Sequence, residues 1–319
     1  MNVLILSAAA KVLLVRAFGA ACHARGGQVF AADLSPDNAA LFEADEAIIL
    51  PRSDAAEFPE VLAQVCAARK VRLVIPTRDA ELAVLAAMRV RLEASGVSVL
   101  APSAEALELC QDKRRFVAFC QARGLATPRT YAIGERPARF PVFVRPVRGA
   151  GGKGAVTVTR YEDLPDDAGL LVQDLETAPE FTVDVLCDLG ARPLQAVVRR
   201  RLLVRDGEAV KSRVEAVPDL EAQALDLCGA LGLVGHNVVQ AFYAQEDRAL
   251  FIEVNPRFGG ASNLSIQAGL ASPERILQML EGQGEAAAAP RVITQGLTML
   301  RYAEDRIVTA SELAALEGR

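Results

Sequence analysis

Residues 251–260, Phe-Ile-Glu-Val-Asn-Pro-Arg-Phe-Gly-Gly, hold the side chains best suited to chemistry. In an extended strand successive side chains alternate faces, so Glu253 and Asn255 point the same way. A carboxylate beside an amide makes a poor core and a good pair of hard oxygen donors. Mg²⁺ takes such ligands, usually one or two carboxylates completed by substrate phosphates. Arg257, just beyond, is placed to neutralise charge on a phosphoryl group in transfer. The plainer alternative is a strand ending in a turn, with Glu253 and Arg257 in water.

Upstream, Gly149-Ala150-Gly151-Gly152-Lys153-Gly154 lies between two predicted strands. Glycines let backbone N–H groups close on phosphate oxygens and reach φ > 0 without penalty. This is no Walker A loop, because Gly154 follows Lys153 and no helix starts there. A flexible hairpin tip is the other reading. Arg145 sits in the extended run before the loop and faces the same region. Gln173-Asp174-Leu175 reads as a strand end entering a loop. Glu180, Thr182 and Asp184 alternate with Phe181, Val183 and Val185, giving one polar and one core face. That pattern suits a cleft wall or an ordinary solvated sheet. Gln240 falls on the strand beside Glu253, near enough to help place a cation.

The elements that must position these groups follow from the hydrophobic pattern. Over the first hundred residues apolar runs (3–6, 28–32, 46–50, 71–76, 97–101) alternate with helical patterns, predicting a parallel, doubly wound sheet. The turn Ser7-Ala8-Ala9-Ala10-Lys11 lacks the GxGxxG fingerprint, which removes a nicotinamide-dependent oxidoreductase despite Asp33 at a strand end. A single helix is expected over 104–123. Strands rich in Val and Phe follow at 141–147, 155–160, 170–173 and 180–188, then 193–204 and 208–217 joined at Asp206-Gly207. A helix at 219–231 capped by Asp219, strands at 237–243 and 249–254, and helices at 262–269 and 273–282 come next. A loop at 284–290, a strand at 293–302 and a helix from Ser311 complete the prediction.

The chain has 319 residues, 51% hydrophobic, with a net charge of −5, so it can build a sizeable core and is poorly suited to nucleic acid. Lys113-Arg114-Arg115 suits a solvated helix side or a phosphate site, and Arg199-Arg200-Arg201 a solvated strand end on which Arg199 and Arg201 share a face. Six cysteines without a CxxC pair and only two histidines make zinc improbable. The cysteines read as small buried hydrophobes in a reducing compartment, so a cytoplasmic location is expected. No apolar run of ~18 residues is present, so no membrane span is expected.

The order of these features resembles the ATP-grasp superfamily, in particular the branch that looks like half of the carbamoyl phosphate synthetase large subunit. The likeness spans the chain and includes Pro76-Thr77-Arg78-Asp79-Ala80-Glu81 and Asp112-Lys113. It implies an α/β and α+β fold with three parts: a Rossmann-like pre-ATP-grasp domain (1–103), a linker helix and small lobe (104–175) and a large lobe (176–319). It implies ATP and Mg²⁺ (or Mn²⁺). Lys113 and Arg145 would contact phosphates, with Arg145 where many relatives carry lysine. Gly149, Gly151, Gly152, Lys153 and Gly154 would close over them. Gln173, Asp174 and Leu175 would form the adenine hinge, and Glu180 would take the ribose. Glu253 and Asn255 would ligate the cation, with Gln240 third, where many relatives have an acid. Arg257 would stabilise the transferring phosphoryl group.

The resemblance implies a carboxylate–amine ligase that forms an amide through an acyl phosphate and releases ADP and phosphate. A kinase-like enzyme releasing the phosphorylated acid or carbamate, and a regulatory ATP-binding protein without turnover, are the alternatives. Small-molecule acid and amine substrates are expected in a pocket of Asp79, Glu81, Arg213, Ser262 and Asn263, the last two preceding a helix. A homodimer, usual among such proteins, rests on the resemblance alone.

Overall fold

The computed structural model describes residues 1–149, 151–243 and 249–317. Its strands fall into three sheets. The first is all parallel, ordered β3-β2-β1-β4-β5 from β1 (Asn2–Ile5), β2 (Val29–Asp33), β3 (Glu46–Ile49), β4 (Val71–Ile75) and β5 (Ser98–Val99). Both faces are covered, which is why the strand centres 3–5, 29–32 and 73–75 read as apolar runs. Val3 and Ile5 pack with Phe18 of helix Val12–His23, whereas Leu4 and Leu6 pack with Leu62 and Leu85 of helices Phe58–Ala68 and Asp79–Ala94.

The small antiparallel sheet, β6-β9-β7-β8, comprises β6 (Thr130–Tyr131), β7 (Val142–Pro146), β8 (Val156–Val158) and β9 (Leu170–Asp174). The large antiparallel sheet, β14-β13-β10-β11-β12-β15, comprises β10 (Glu180–Cys187), β11 (Pro193–Arg205), β12 (Glu208–Val214), β13 (Gly235–Phe242), β14 (Leu250–Asn255) and β15 (Thr298–Leu300). Period-two alternation sorts β10. Phe181, Val183 and Val185 pack on Leu220 and Leu227 of helix Pro218–Ala230, while Glu180, Thr182 and Asp184 take the opposite face.

Several expectations need correction. The helix over 104–123 is two helices, Ala104–Gln111 and Lys113–Ala122. They break at Asp112, whose Oδ1 accepts from the Arg114 and Arg115 N–H groups at 3.0 and 3.1 Å and caps the second. Asp219 is not an N-cap: Pro218 takes the first turn after Val217, where its missing N–H costs nothing. The loop over 284–290 contains helix Gly284–Ala288, and the strand over 293–302 shrinks to Thr298–Leu300. Helix 262–269 is one α-turn, Ser262–Ser265, running into a π-helical stretch, Ile266–Leu270. No helix among the described residues is long and apolar enough to cross a membrane.

Candidate active site

A cavity of about 360 Å³ opens between the small sheet and the polar face of the large one. Glu253 sits near the end of β14 and lines this cavity and two smaller ones, one toward Arg145 and one toward Asp79, with Lys113 lining both of these. Strand alternation puts Asn255 beside it, with Asn255 Nδ2 donating to Glu253 Oε1 at 3.2 Å. Arg145 Nη1 lies 3.9 Å from Glu253 Oε2, and its Nη2 donates to the Ile252 carbonyl at 3.1 Å. The buried Arg145 Nε has no partner among the described residues. Burial pulls the Arg145 and Lys113 pKa values below their usual levels, so both cations are held half-stripped of water. Lys113 Nζ donates to the Gly149 carbonyl at 2.7 Å and so props the glycine loop.

Gly149, Gly151, Gly152 and Gly154 all have positive φ, 121°, 69°, 67° and 75°. Ala150 lies outside the described residues. The loop reaches across to the β11–β12 turn, where Asp206 and Gly207 have φ of 50° and 76°. A Cβ on Gly207 would stand 2.6 Å from the Gly151 carbonyl oxygen. Only glycine permits that approach.

Glu180 is held at the cavity wall by Arg201 Nη1 at 2.7 Å and Gln240 Nε2 at 3.1 Å, and burial raises its pKa. Gln240 stands opposite Glu253 across β13 and β14, yet its amide serves Glu180. The hinge side chains turn inward: Gln173 Nε2 donates to Thr130 Oγ1 at 2.9 Å, and Asp174 accepts from Tyr131 Oη at 2.6 Å and Arg139 Nη2 at 2.7 Å. Gln173 and Asp174 side chains thus bind the small sheet together, and Leu175 follows half-buried. Lys153 is exposed beside the small cavity under the loop. Arg257 forms a fork on Asp79, Nε to Oδ1 at 2.7 Å and Nη2 to Oδ2 at 3.0 Å, and reaches Asn255 Oδ1 at 3.3 Å.

Of the five residues expected to form one substrate pocket, only Ser262 and Asn263 line a common cavity. Glu81 is 3% exposed and accepts from the Thr77 and Arg78 N–H groups at 3.0 and 3.3 Å, capping its helix. Arg213 points outward from β12. Ser262 is buried, donating to Asp184 Oδ1 at 2.9 Å and accepting from the Gly259 N–H at 2.8 Å. Asp79 faces Arg257, and Asn263 lines a separate cavity beyond Gly259-Gly260.

Sequence reasoning missed the polar cluster under the cavity floor. Asp184 is fully buried and receives Arg199 Nε at 2.5 Å, His236 Nε2 at 3.0 Å, Ser262 Oγ and Ser265 Oγ. Arg199 and Arg201, read as a solvated strand end, are both turned into the cavity wall. Their i, i+2 spacing was the available signal, since Arg199 stands opposite Thr182 and diagonal to Asp184 across β10 and β11.

Glu253 and Asn255, with Gln240 nearby, are oxygen donors of the kind Mg²⁺ takes. Among the described residues no three His, Cys, Asp or Glu side chains gather into a closed cage. A cation here would be completed by oxygens of a bound substrate, and the orphaned Arg145 Nε beside it suits an anion.

These features define an ATP-grasp architecture: a parallel sheet, a small antiparallel lobe with a glycine loop, and a large lobe ending in paired oxygen donors. Residues 3–100 match the family model of the PylC-like N-terminal domain and residues 110–261 that of the ATP-grasp domain. The chain belongs to the ATP-grasp superfamily. It is 28% identical over 53% of its length to the carbamoyl phosphate synthase large chain of Myxococcus xanthus, spanning 18% of that relative. The biotin carboxylase–β,γ-ATP complex from Campylobacter jejuni shares the fold, with a TM-score of 0.71 at 17% identity over 93% of this chain and 73% of that one. The L-amino acid ligase from Bacillus licheniformis does so with a TM-score of 0.66 at 18% identity, over 91% and 77%.

Proposed function

We propose that the chain is an ATP-dependent carboxylate–amine ligase working through an acyl phosphate. The observation that carries this is the placement of Glu253. It stands beside Asn255, near buried Arg145 and Lys113, and lines the main cavity together with Arg257 and the glycine loop. Carboxylates do not react with amines unaided, because the oxygen is a bad leaving group. Transfer of the γ-phosphoryl group makes phosphate the leaving group, and the protein's task is positioning and charge stabilisation.

Glu253 and Asn255, helped by Gln240, would hold Mg²⁺, which when bound neutralises charge on the phosphate oxygens. Lys113 and Arg145 would contact the phosphates, and burial strengthens their pull on an anion. Gly149, Gly151, Gly152, Lys153 and Gly154 would cover the β- and γ-phosphates. Seated on Gly207, the loop would keep water from the acyl phosphate. Glu180 would accept from the ribose hydroxyls, and the 173–175 hinge would meet adenine through its backbone. Arg257, fixed by Asp79, would stabilise the acyl phosphate as the amine attacks.

The route predicts where one oxygen goes. A carboxylate oxygen attacks the γ-phosphorus, and the amine later displaces phosphate together with that oxygen. With an acid labelled in both carboxylate oxygens, the released phosphate is expected to carry one label, read by mass spectrometry. Unlabelled phosphate would exclude the acyl phosphate.

A further inference from the structure

A second cavity, of about 400 Å³, lies beside the first, between the Lys11 turn, helix Val12–His23 and the segment 299–302. The two share four lining residues, Glu208, Gly259, Gly260 and Arg301. Arg301 Nη1 pairs with Glu208, and its Nη2 donates to the Gly260 carbonyl at 2.6 Å, so this ion pair stands between the cavities.

Two of the three charged residues lining this cavity are committed to each other, Arg301 to Glu208. Lys11 makes no side-chain hydrogen bond or ion pair among the described residues. Burial, then the nearby Arg257 and Arg301 against Glu208 and Asp79, lower its pKa to about 8. The remaining wall is mostly apolar. Leu13, Leu300 and Tyr302 are 48%, 66% and 79% exposed, and all three line it. Single exposed hydrophobics are ordinary, but several around one concavity beside a lone cation mark a ligand with an apolar body and an anionic head.

We propose that this cavity binds the acid substrate, a small carboxylic acid whose hydrocarbon body lies against Leu13, Ile266 and Met299 and whose carboxylate faces Lys11. The inference rests on reading the neighbouring cavity as the nucleotide and cation site. It places the acid one ion pair away from Arg257.

The test uses three probes of one shape, hexanoate, hexanol and hexylamine, with binding to the full chain read by ligand-observed NMR at pH 7. Hexanoate is expected to bind about tenfold more tightly than hexanol, the worth of one charge-assisted hydrogen bond, with hexylamine weakest. Lys11→Met should bring hexanoate to the level of hexanol, and Lys11→Arg should restore the preference. Leu13→Asn, at an exposed position, should weaken hexanoate and hexanol alike. Above pH ~8 hexanoate affinity should fall to the hexanol level, about tenfold in all, while hexanol stays level, because the free lysine loses its proton. MgADP binding on the same samples reports folding. Equal binding of hexanoate and hexanol, a preference for hexylamine, a preference that survives Lys11→Met, or no binding of any probe overturns the proposal. Phosphate release that depends on Glu253, without a hexanoate preference, removes the pocket and keeps the ligase. The converse keeps the pocket and removes the ligase.

Discussion

Asp184→Ala is expected to destabilise the fold by about 3–5 kcal/mol, because it strands a buried guanidinium. Arg199 is 2% exposed, and its Nη1 already lacks a partner among the described residues. Without Asp184 its Nε loses its acceptor, and His236, Ser262 and Ser265 lose theirs. The loss is a large share of the ~5–15 kcal/mol that holds a typical domain. Asp184→Asn keeps an acceptor and should cost less. Burial pushes the Asp184 carboxyl up, but Arg199 and His236 outweigh it and hold the pKa well below the usual carboxylate range. A carboxyl lowered in the folded state stabilises fully above its unfolded pKa of ~3.9, and that stability drains as pH falls below it. Urea melts of wild type should therefore weaken on acidification more steeply than those of Asp184→Ala. Equal stability of the two proteins at neutral pH would contradict the reading of the cluster.

Arg257→Ala is expected to lower kcat by about 10²–10³-fold with little loss of stability. The Arg257–Asp79 fork is partly exposed, with side-chain exposures of 14% and 31%, and such pairs contribute ~1 kcal/mol or less. In the proposed ligase the guanidinium acts instead on the phosphoryl group from its place beside Asn255. Arg257→Lys keeps the charge and loses the fork, so it should recover only part of the rate. Asp79→Asn frees the guanidinium without removing it and should cost less than Arg257→Ala. Steady-state kinetics beside a thermal melt separate the effects. A variant that loses stability in proportion to activity would make Arg257 a structural residue.

The parallel sheet was legible because strands buried on both faces leave continuous apolar runs, as in residues 3–6 and 73–75. Glu253 and Asn255 were legible because β alternation alone puts them side by side. The break at Asp112 was hidden inside an unbroken helical pattern, where the cap competes only locally. The cluster on Asp184 was hidden for another reason. It joins β10, β11, β13 and the Ser262–Ser265 turn, and a polar strand face reads alike whether it meets water or another polar element. Lys11 shows the same limit. Its neighbours Glu208, Arg257 and Arg301 are about two hundred or more residues distant in sequence, and only the fold brings them together.

Phosphate release from ATP, measured over amino acids and small carboxylates singly and in pairs, tests the central claim most directly when wild type is set beside Glu253→Ala. Some acid and amine pair should drive release in wild type and fall by about 10²-fold or more in the variant, which loses the carboxylate at the junction of the three cavities. Equal release by the two proteins under every condition would contradict the ligase.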